Sequence, residues 1–329
     1  MKLPLSVLDL SPVGAGVAPS AAIRDSVALA VAADGLGYTR YWFAEHHNMA
    51  SIATSAPEVL IAHVIAKTSR IRVGAGGMMV PNHSPLHVIE QFRTLEALAP
   101  GRIDLGLGRA PGTDPVTSAA LRRSDPSEVN HALAEILAFE EAQFPERHPF
   151  AQITPQPADA RAGMLWMLGS TLEGASIAAQ LGVHYAFAGH FAMKSARQAI
   201  AHYKTRFEPS ARLAEPYAIC AVTTICGATD EEAQRLAAPM RVAVVNSRTG
   251  KRAPIVSIED ALARTFTPDE QAIVDDFMHG AVIGGPAHVA ERLPALASEI
   301  GADEVMLSTL VPSFEDRRLS LERIARALA

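Results

Sequence analysis

A (β/α)8 TIM barrel, one domain over residues 1–329, is the fold the sequence predicts. Three observations carry it. Short apolar runs alternate with longer helical patterns almost end to end, most of those runs are continuous rather than alternating, and eight can be counted. Continuous apolar runs read as parallel strands covered by helices, and eight strand–helix repeats favour a closed barrel over an open sheet.

The strand candidates are LPLSVLDL (3–10), TRYWFA (39–44), IRVGAGGMMV (71–80), RIDLGLG (102–108), MLWMLG (164–169), HYAFAG (184–189), YAICAVTTIC (217–226) and DEVMLST (303–309). Helical patterns lie between them. Ser20 opens 20–36, which stops near Gly35 and Gly37, and Ser55 opens 55–68. Pro85 to Leu98 stops at Pro100-Gly101, and 172–182 stops at Gly182. Thr229 opens a helix with Asp230, Glu231 and Glu232 in its first turn, where acids complement the helix dipole, and 314–328 closes the chain. Two segments exceed the repeat. One is the Pro/Gly/Ser-rich stretch 110–128 after strand four; the other is 246–283 after strand seven, polar at first and helical at 268–279. Insertions of this length read as lids or binding loops.

Composition narrows the function classes. Hydrophobic residues make up 49% and charged residues 19%, enough for a large core. A net charge of −6 without a basic block argues against nucleic acid and anionic membrane surfaces as partners. The N-terminal apolar run is broken by Pro4 and Asp9 and does not read as a signal peptide. The longest uncharged stretch, 73–89, contains Pro81, Asn82 and Pro85 and cannot span a membrane. The expected location is the cytoplasm. Cys220 and Cys226 lie roughly 20 Å apart along one strand, beyond disulfide reach, and read as small buried residues.

In a barrel, function gathers where strands end at their C-terminal side. Here those ends are Asp9–Ser11, Ala44–Asn48, Gly76–Pro81, Gly108–Gly112, Gly169–Thr171 and Gly189–Phe191, rich in Gly, His and small polar residues. The sequence FAEHHN (43–48) invites a metal reading, which fails on spacing: adjacent residues of an extended segment face opposite ways, so one cavity sees one histidine. A lone histidine there suits proton transfer, or else a structural bond to Glu45. No metal site is expected. GAGGMM (74–79) carries too much glycine for an ordinary strand, which marks either crowding or the close approach of a flat ring.

GLGRAPG (106–112) lacks the glycine spacing of a dinucleotide fingerprint and opens a loop through Pro111. It leaves Arg109 on the barrel top, suited to a phosphate or to a nearby acid. LGSTLEG (168–174) runs from strand five into a helix, so Ser170 and Thr171 offer either an anion cradle or a plain N-cap. Together the motifs describe a flat ring on the glycine strand with its phosphate between Arg109 and Ser170-Thr171. Flavin mononucleotide fits that description.

With these motifs in place, the chain resembles the bacterial luciferase-like flavin monooxygenases, in their single-chain, alkanal-monooxygenase-like branch. The resemblance runs through YWFAEHHN (41–48), RVGAGGMMVPNHSPLHVIEQFRTLEALAPGRIDLGLGRAPGTDP (72–115), LGSTLEGASIAAQLG (168–182), GHF (189–191) and PSARLAEPYAI (209–219). It implies a homodimeric barrel that takes reduced FMN from a separate NAD(P)H:flavin reductase. Dioxygen would form a C4a-hydroperoxyflavin that attacks an aldehyde or other small organic substrate. His46 matches the histidine that acts as the base, Arg109 the phosphate ligand, and Ser170 and Thr171 the helix opening. A non-proline cis peptide under the ring would fall at Gly76-Gly77. Asp9, Ser11, Gly169 and His190, at other strand ends, complete the expected cofactor-binding set. Gly108 stands where luciferase has a reactive cysteine, so light emission is not expected, and 246–283 does not align with the luciferase loop. Two alternatives stay open: a non-catalytic flavin-binding protein, and a deazaflavin-dependent dehydrogenase whose anionic coenzyme tail would call on Arg248, Lys251 and Arg252.

Overall fold

A computed structural model describes residues 3–121 and 128–329. Its strands are β1 (Leu5–Asp9), β2 (Arg40–Phe43), β3 (Arg72–Met79), β4 (Ile103–Gly108), β5 (Met164–Gly169), β6 (His184–Phe187), β7 (Ala218–Cys226), β8 (Val282–Gly284) and β9 (Glu304–Ser308). All pair in parallel. β1 to β7 follow one another, β9 joins β7 to β1, and the ring closes as an eight-stranded barrel. The three-residue β8, absent from the sequence expectation, pairs only with the C-terminal end of β7, through Thr224↔Val282 to Cys226↔Gly284. β7 is therefore shared: Ile219 to Thr223 pair with β9, and the last three residues pair with the insertion strand.

Strand alternation divides the core in two. Tyr41 and Phe43 of β2 face outward into the shell between barrel and helices, and Trp42 between them faces the barrel interior with Leu8, Trp166, Ile219 and Met306. Every strand thus buries both faces, which is why the sequence shows unbroken apolar runs.

The helices start where proline permits more often than where serine was expected. α1 is Pro19–Leu36 and α2 is Pro57–Ile65, each with proline in its first turn and no side-chain cap, so neither Ser20 nor Ser55 opens its helix as expected. α1 does end at Gly37, whose left-handed φ of 82° lets its N–H reach the carbonyls of Ala33 and Asp34. Thr229 caps Asp230–Arg248 through the Glu232 N–H, as its sequence predicts. Three further helices, Val129–Glu141, Ala196–Arg206 and Pro286–Ile300, are not singled out by the sequence patterning.

Both insertions are present. The first contributes the short helix Pro115–Leu121, and positions 122–127 of it lie outside the described residues. The second holds Ile258–Ala263, Pro268–Met278 and β8. Among the described residues no helix is long and apolar enough to cross a membrane. Cys220 and Cys226 are free and buried.

Candidate active site

A cavity of about 770 Å³ opens at the C-terminal end of the barrel. His46, Gly76, Arg109, Gly169, Ser170, Thr171 and His190 all line it, so strands two to six deliver their tips to one space. Three expected residues do not reach it. Asp9 is buried beside it, with Oδ1 accepting from Arg317 Nη1 at 3.0 Å and from the Ser11 N–H at 2.8 Å, and Oδ2 accepting from the Tyr41 hydroxyl at 2.5 Å. Its carboxylate is committed to holding β1, β2 and the last helix together. Ser11 is buried with it. Gly77 lies inside the wall, where a Cβ would sit 2.8 Å from the Gly106 carbonyl oxygen.

The glycine strand shows the crowding offered as one reading of it. Gly76-Gly77 is a cis peptide, as the family resemblance implies, and the pairing of β3 with β4 shifts register there. Crowding also requires glycine: a Cβ on Gly76 would meet Trp42 Cε3 at 2.8 Å and Leu8 Cδ1 at 2.9 Å. The backbone therefore packs directly on the interior aromatic layer while Gly76 keeps one side on the cavity.

Glu45 fixes the loop that carries His46. It is fully buried and accepts four hydrogen bonds: from the Met79 N–H at 2.7 Å, and from Asn82 Nδ2, His47 Nε2 and His83 Nε2 at 2.9 Å each. Burial alone would raise its carboxyl, but the hydrogen bond and charge of His83, with Asn82 and the Met79 amide, more than offset this and hold it below the usual range. Asn82 also donates to the Pro111 carbonyl, so the ends of β2, β3 and β4 are tied at one carboxylate. His47 accordingly takes the structural role, facing Glu45.

His46 is the histidine left for the cavity. Its backbone N–H is pinned to the Thr54 carbonyl at 2.9 Å, while its Nδ1 is buried without a partner. Burial lowers its pKa to about 4, against an upward pull from Glu45, so the ring is neutral at pH 7. His190 sits in a single turn, Gly189–Ala192, beyond the end of β6. Burial likewise lowers it to about 4, helped by the charge of His46, and its Nδ1 is also buried and unpartnered.

At the other wall, Arg109 Nη1 pairs with Glu173 Oε1 at 3.0 Å. Thr171 caps Leu172–Gln180 by accepting from the Gly174 N–H at 3.3 Å. A Cβ on Gly174 would lie 3.7 Å from Arg109 Nη2, so the guanidinium abuts the start of this helix. The acid partner and the plain cap, the alternatives to an anion site, are thus both observed, and Glu173 is largely exposed.

Phe277 of the second insertion and Met240 of the preceding Asp230–Arg248 helix roof the cavity, although no sequence motif marks them. The loop between is held over the site by an ion pair of Arg252 Nη2 with Asp114 Oδ2 at 3.0 Å, an oxygen that also accepts from Asn48 Nδ2 at 3.0 Å. Among the described residues no group of three or more His, Cys, Asp or Glu side chains is arranged so that it could hold a metal ion.

Residues 3–304 match the family model for luciferase-like monooxygenases. The chain belongs to that family. A luciferase-like monooxygenase of Escherichia coli strain K12 is 39% identical over 320 residues, covering 96% of this chain and 94% of the relative. The crystal structure of apo-MsnO8 superposes with a TM-score of 0.91 at 35% identity, covering 99% of this chain and 98% of the other. The oxygenating constituent of 3,6-diketocamphane monooxygenase from Pseudomonas putida, solved in complex with FMN, shares the fold with a TM-score of 0.74 at 19% identity over 99% of this chain and 98% of its own. For this luciferase-like chain, then, the cavity built above lies at the barrel end where function is expected from physical reasoning alone.

Proposed function

We propose that this protein is an FMN-dependent monooxygenase that uses reduced FMN and dioxygen on an aldehyde or another small organic substrate. The observation that carries the reading is the polarity of the cavity wall. Arg109 beside a helix start forms an anion site at one side, and two uncharged imidazoles stand among apolar side chains at the other. The residues fit the cofactor. A guanidinium, the Ser170 and Thr171 hydroxyls and free helix amides suit a phosphate monoester, and the flat backbone at Gly76 suits a ring.

Reduced FMN supplies the electrons that activate dioxygen, and the chain supplies binding, orientation and dryness. Arg109 with the start of the Leu172–Gln180 helix holds the phosphate. Gly76 gives the ring a surface without a side chain. His46 works at the reacting oxygen, and the roof of Met240 and Phe277 limits water. The sequence lacks a dinucleotide fingerprint, which supports supply of reduced FMN by a separate NAD(P)H:flavin reductase; assembly as a homodimer and a cytoplasmic location complete the proposal.

One observation weighs against the deazaflavin alternative. Arg109 is the only Arg or Lys among the described residues lining the cavity, and Arg252 is committed to Asp114. A single cation matches a single phosphate better than a long anionic tail.

The test uses stopped-flow mixing of the reduced-FMN complex with dioxygenated buffer. A transient flavin absorbance distinct from both oxidised and reduced FMN supports the proposal, and direct return to oxidised flavin speaks for mere binding. His46→Ala should keep FMN affinity while oxygen consumption shifts from product to hydrogen peroxide. Unchanged coupling removes His46 from the reaction.

A further inference from the structure

His46 and His190 come from strand ends four positions apart in the ring, yet both line one cavity. In each ring Nδ1 is buried with no hydrogen-bond partner, so Nε2 is the nitrogen that keeps access to the cavity. A neutral imidazole carries one N–H and one acceptor nitrogen. A proton on Nδ1 would leave a buried N–H donor orphaned, which proteins avoid more strictly than a bare acceptor. On Nε2 the same proton points into the cavity and can be used.

We infer that His46 and His190 are both Nε2–H tautomers and form a pair of uncharged hydrogen-bond donors for an uncharged oxygen acceptor, such as a carbonyl group, on the substrate. The ligand side of this inference rests on the proposed monooxygenase reading; the tautomers do not. His190 thereby moves from the cofactor's ligands to the substrate's, and His46 acts by donating an N–H rather than by accepting a proton. Donors fixed in an enclosed, largely apolar space stabilise charge that gathers on oxygen without themselves being charged beforehand.

The surroundings support both halves. Glu45 and His47 are the titratable groups that act on His46, and His46 is the one that acts on His190; burial outweighs the upward pull of Glu45 and keeps both rings neutral. The only fixed charges on the described wall are Arg109 and Glu173, which pair with each other. Once a phosphate takes Arg109, no described cation on the wall remains for a carboxylate. The remaining wall, which includes Ile219, Met240, Phe277 and Met306, accepts apolar surface. The substrate class is therefore a neutral apolar molecule with one oxygen acceptor.

Two measurements test this. First, long-range proton–nitrogen NMR on protein labelled with 15N-histidine, without flavin, reads the tautomers directly, with assignment from His46→Gln and His190→Gln. Both rings should show a protonated Nε2 and no titration between pH 6 and 8. A protonated Nδ1, or a midpoint near 6.5, overturns the pair. Second, decanal and decanoate serve as matched probes of the oxidised-FMN complex, read through tryptophan fluorescence, since Trp42 lines the cavity. Wild type should bind decanal in preference to decanoate. His190→Leu should weaken decanal binding about tenfold, the worth of roughly one hydrogen bond, with FMN affinity unchanged and His190→Gln restoring most of the loss. Equal decanal affinity in wild type and His190→Leu removes His190 from the substrate site. Failure of wild type to bind FMN in the same titration would instead sink the monooxygenase reading and leave the tautomer result standing.

Discussion

The two ends of the barrel bury charge under opposite rules. At the N-terminal end, Arg40 Nε and Nη2 donate to Glu304 at 2.8 and 3.0 Å, and its Nη1 donates to Asp104 at 2.8 Å. Arg72 Nη2 also pairs with Asp104 at 2.6 Å, Trp42 Nε1 donates to Asp104 at 2.9 Å, and the Tyr217 hydroxyl donates to Glu304 at 2.9 Å. Two cations meet two anions and no carboxylate oxygen is left unpaired. At the C-terminal end, His46 and His190 keep unpartnered nitrogens and Arg109 leans on one exposed glutamate. Enclosure is similar and satisfaction is not. A network with every partner in place is closed to ligands and serves the fold, whereas unfilled hydrogen-bonding capacity inside a cavity is what a ligand can complete.

The largest expected effect lies at the closed end. Asp104→Ala would remove one of the two acids that neutralise buried Arg40 and the acid paired with half-buried Arg72, and breaking buried pairs of this kind costs about 3–5 kcal/mol. Urea unfolding should show that loss with the m-value unchanged. A loss below about 1 kcal/mol would mean that water reaches the network, and the contrast between the two ends would collapse.

Arg109→Met probes the open end and should reverse the pattern. Its partner Glu173 is largely exposed, so unfolding stability should stay within about 0.5 kcal/mol of wild type. FMN affinity, read by flavin fluorescence titration, should fall about ten- to a hundredfold, the worth of a charge-assisted phosphate contact at about 1.5–3 kcal/mol. Equal FMN affinity would place the phosphate elsewhere.

The open end was more legible in the sequence than the closed one, for a physical reason. His46, Gly76, Arg109, Ser170 and Thr171 sit in short local motifs at strand tips, where glycine or polar residues interrupt an apolar run. Asp104 and Glu304 lie inside or at the start of runs that read as plain strands, and their partners come from distant strands. Asp9 was placed at the ligand for the same reason. Its decisive partner, Arg317, is 308 positions away in the last helix, and nothing near Asp9 announces it. Met240 and Phe277 give no sequence signal because a cavity roof needs only apolar side chains at suitable points of a helix and an insertion. β8, at three residues, is too short for any periodicity to register.

Histidines supply the smallest and most diagnostic contrast, because one lies at the closed end. His184, whose Nδ1 faces the Leu165 carbonyl at 3.1 Å, is lowered to about 4 by burial, with Arg40 adding to the effect. His46 and His190 are lowered to about 4 at the open end. In the unfolded chain each titrates near 6.5, so between roughly pH 4 and 6.5 the unfolded state binds more protons than the folded one. Stability therefore falls as pH drops through that window and is level above it, each ring adding up to about 1.4 kcal/mol per pH unit. Carboxylates titrate mainly below pH 5, which leaves pH 5 to 6.5 as the clean interval. Urea midpoints across it should show His184→Gln and His190→Gln each flattening the slope by about one proton. Above pH 5 the folded rings hold almost no proton for a ligand to displace, so saturating decanal with FMN should raise the whole curve in wild type and leave its slope unchanged. The same addition should raise it equally in His184→Gln and less in His190→Gln, because His190 lines the cavity and His184 does not. An equal rise in both variants would show that the ligand does not distinguish the two ends, and that the unpartnered rings at the barrel mouth are simply buried.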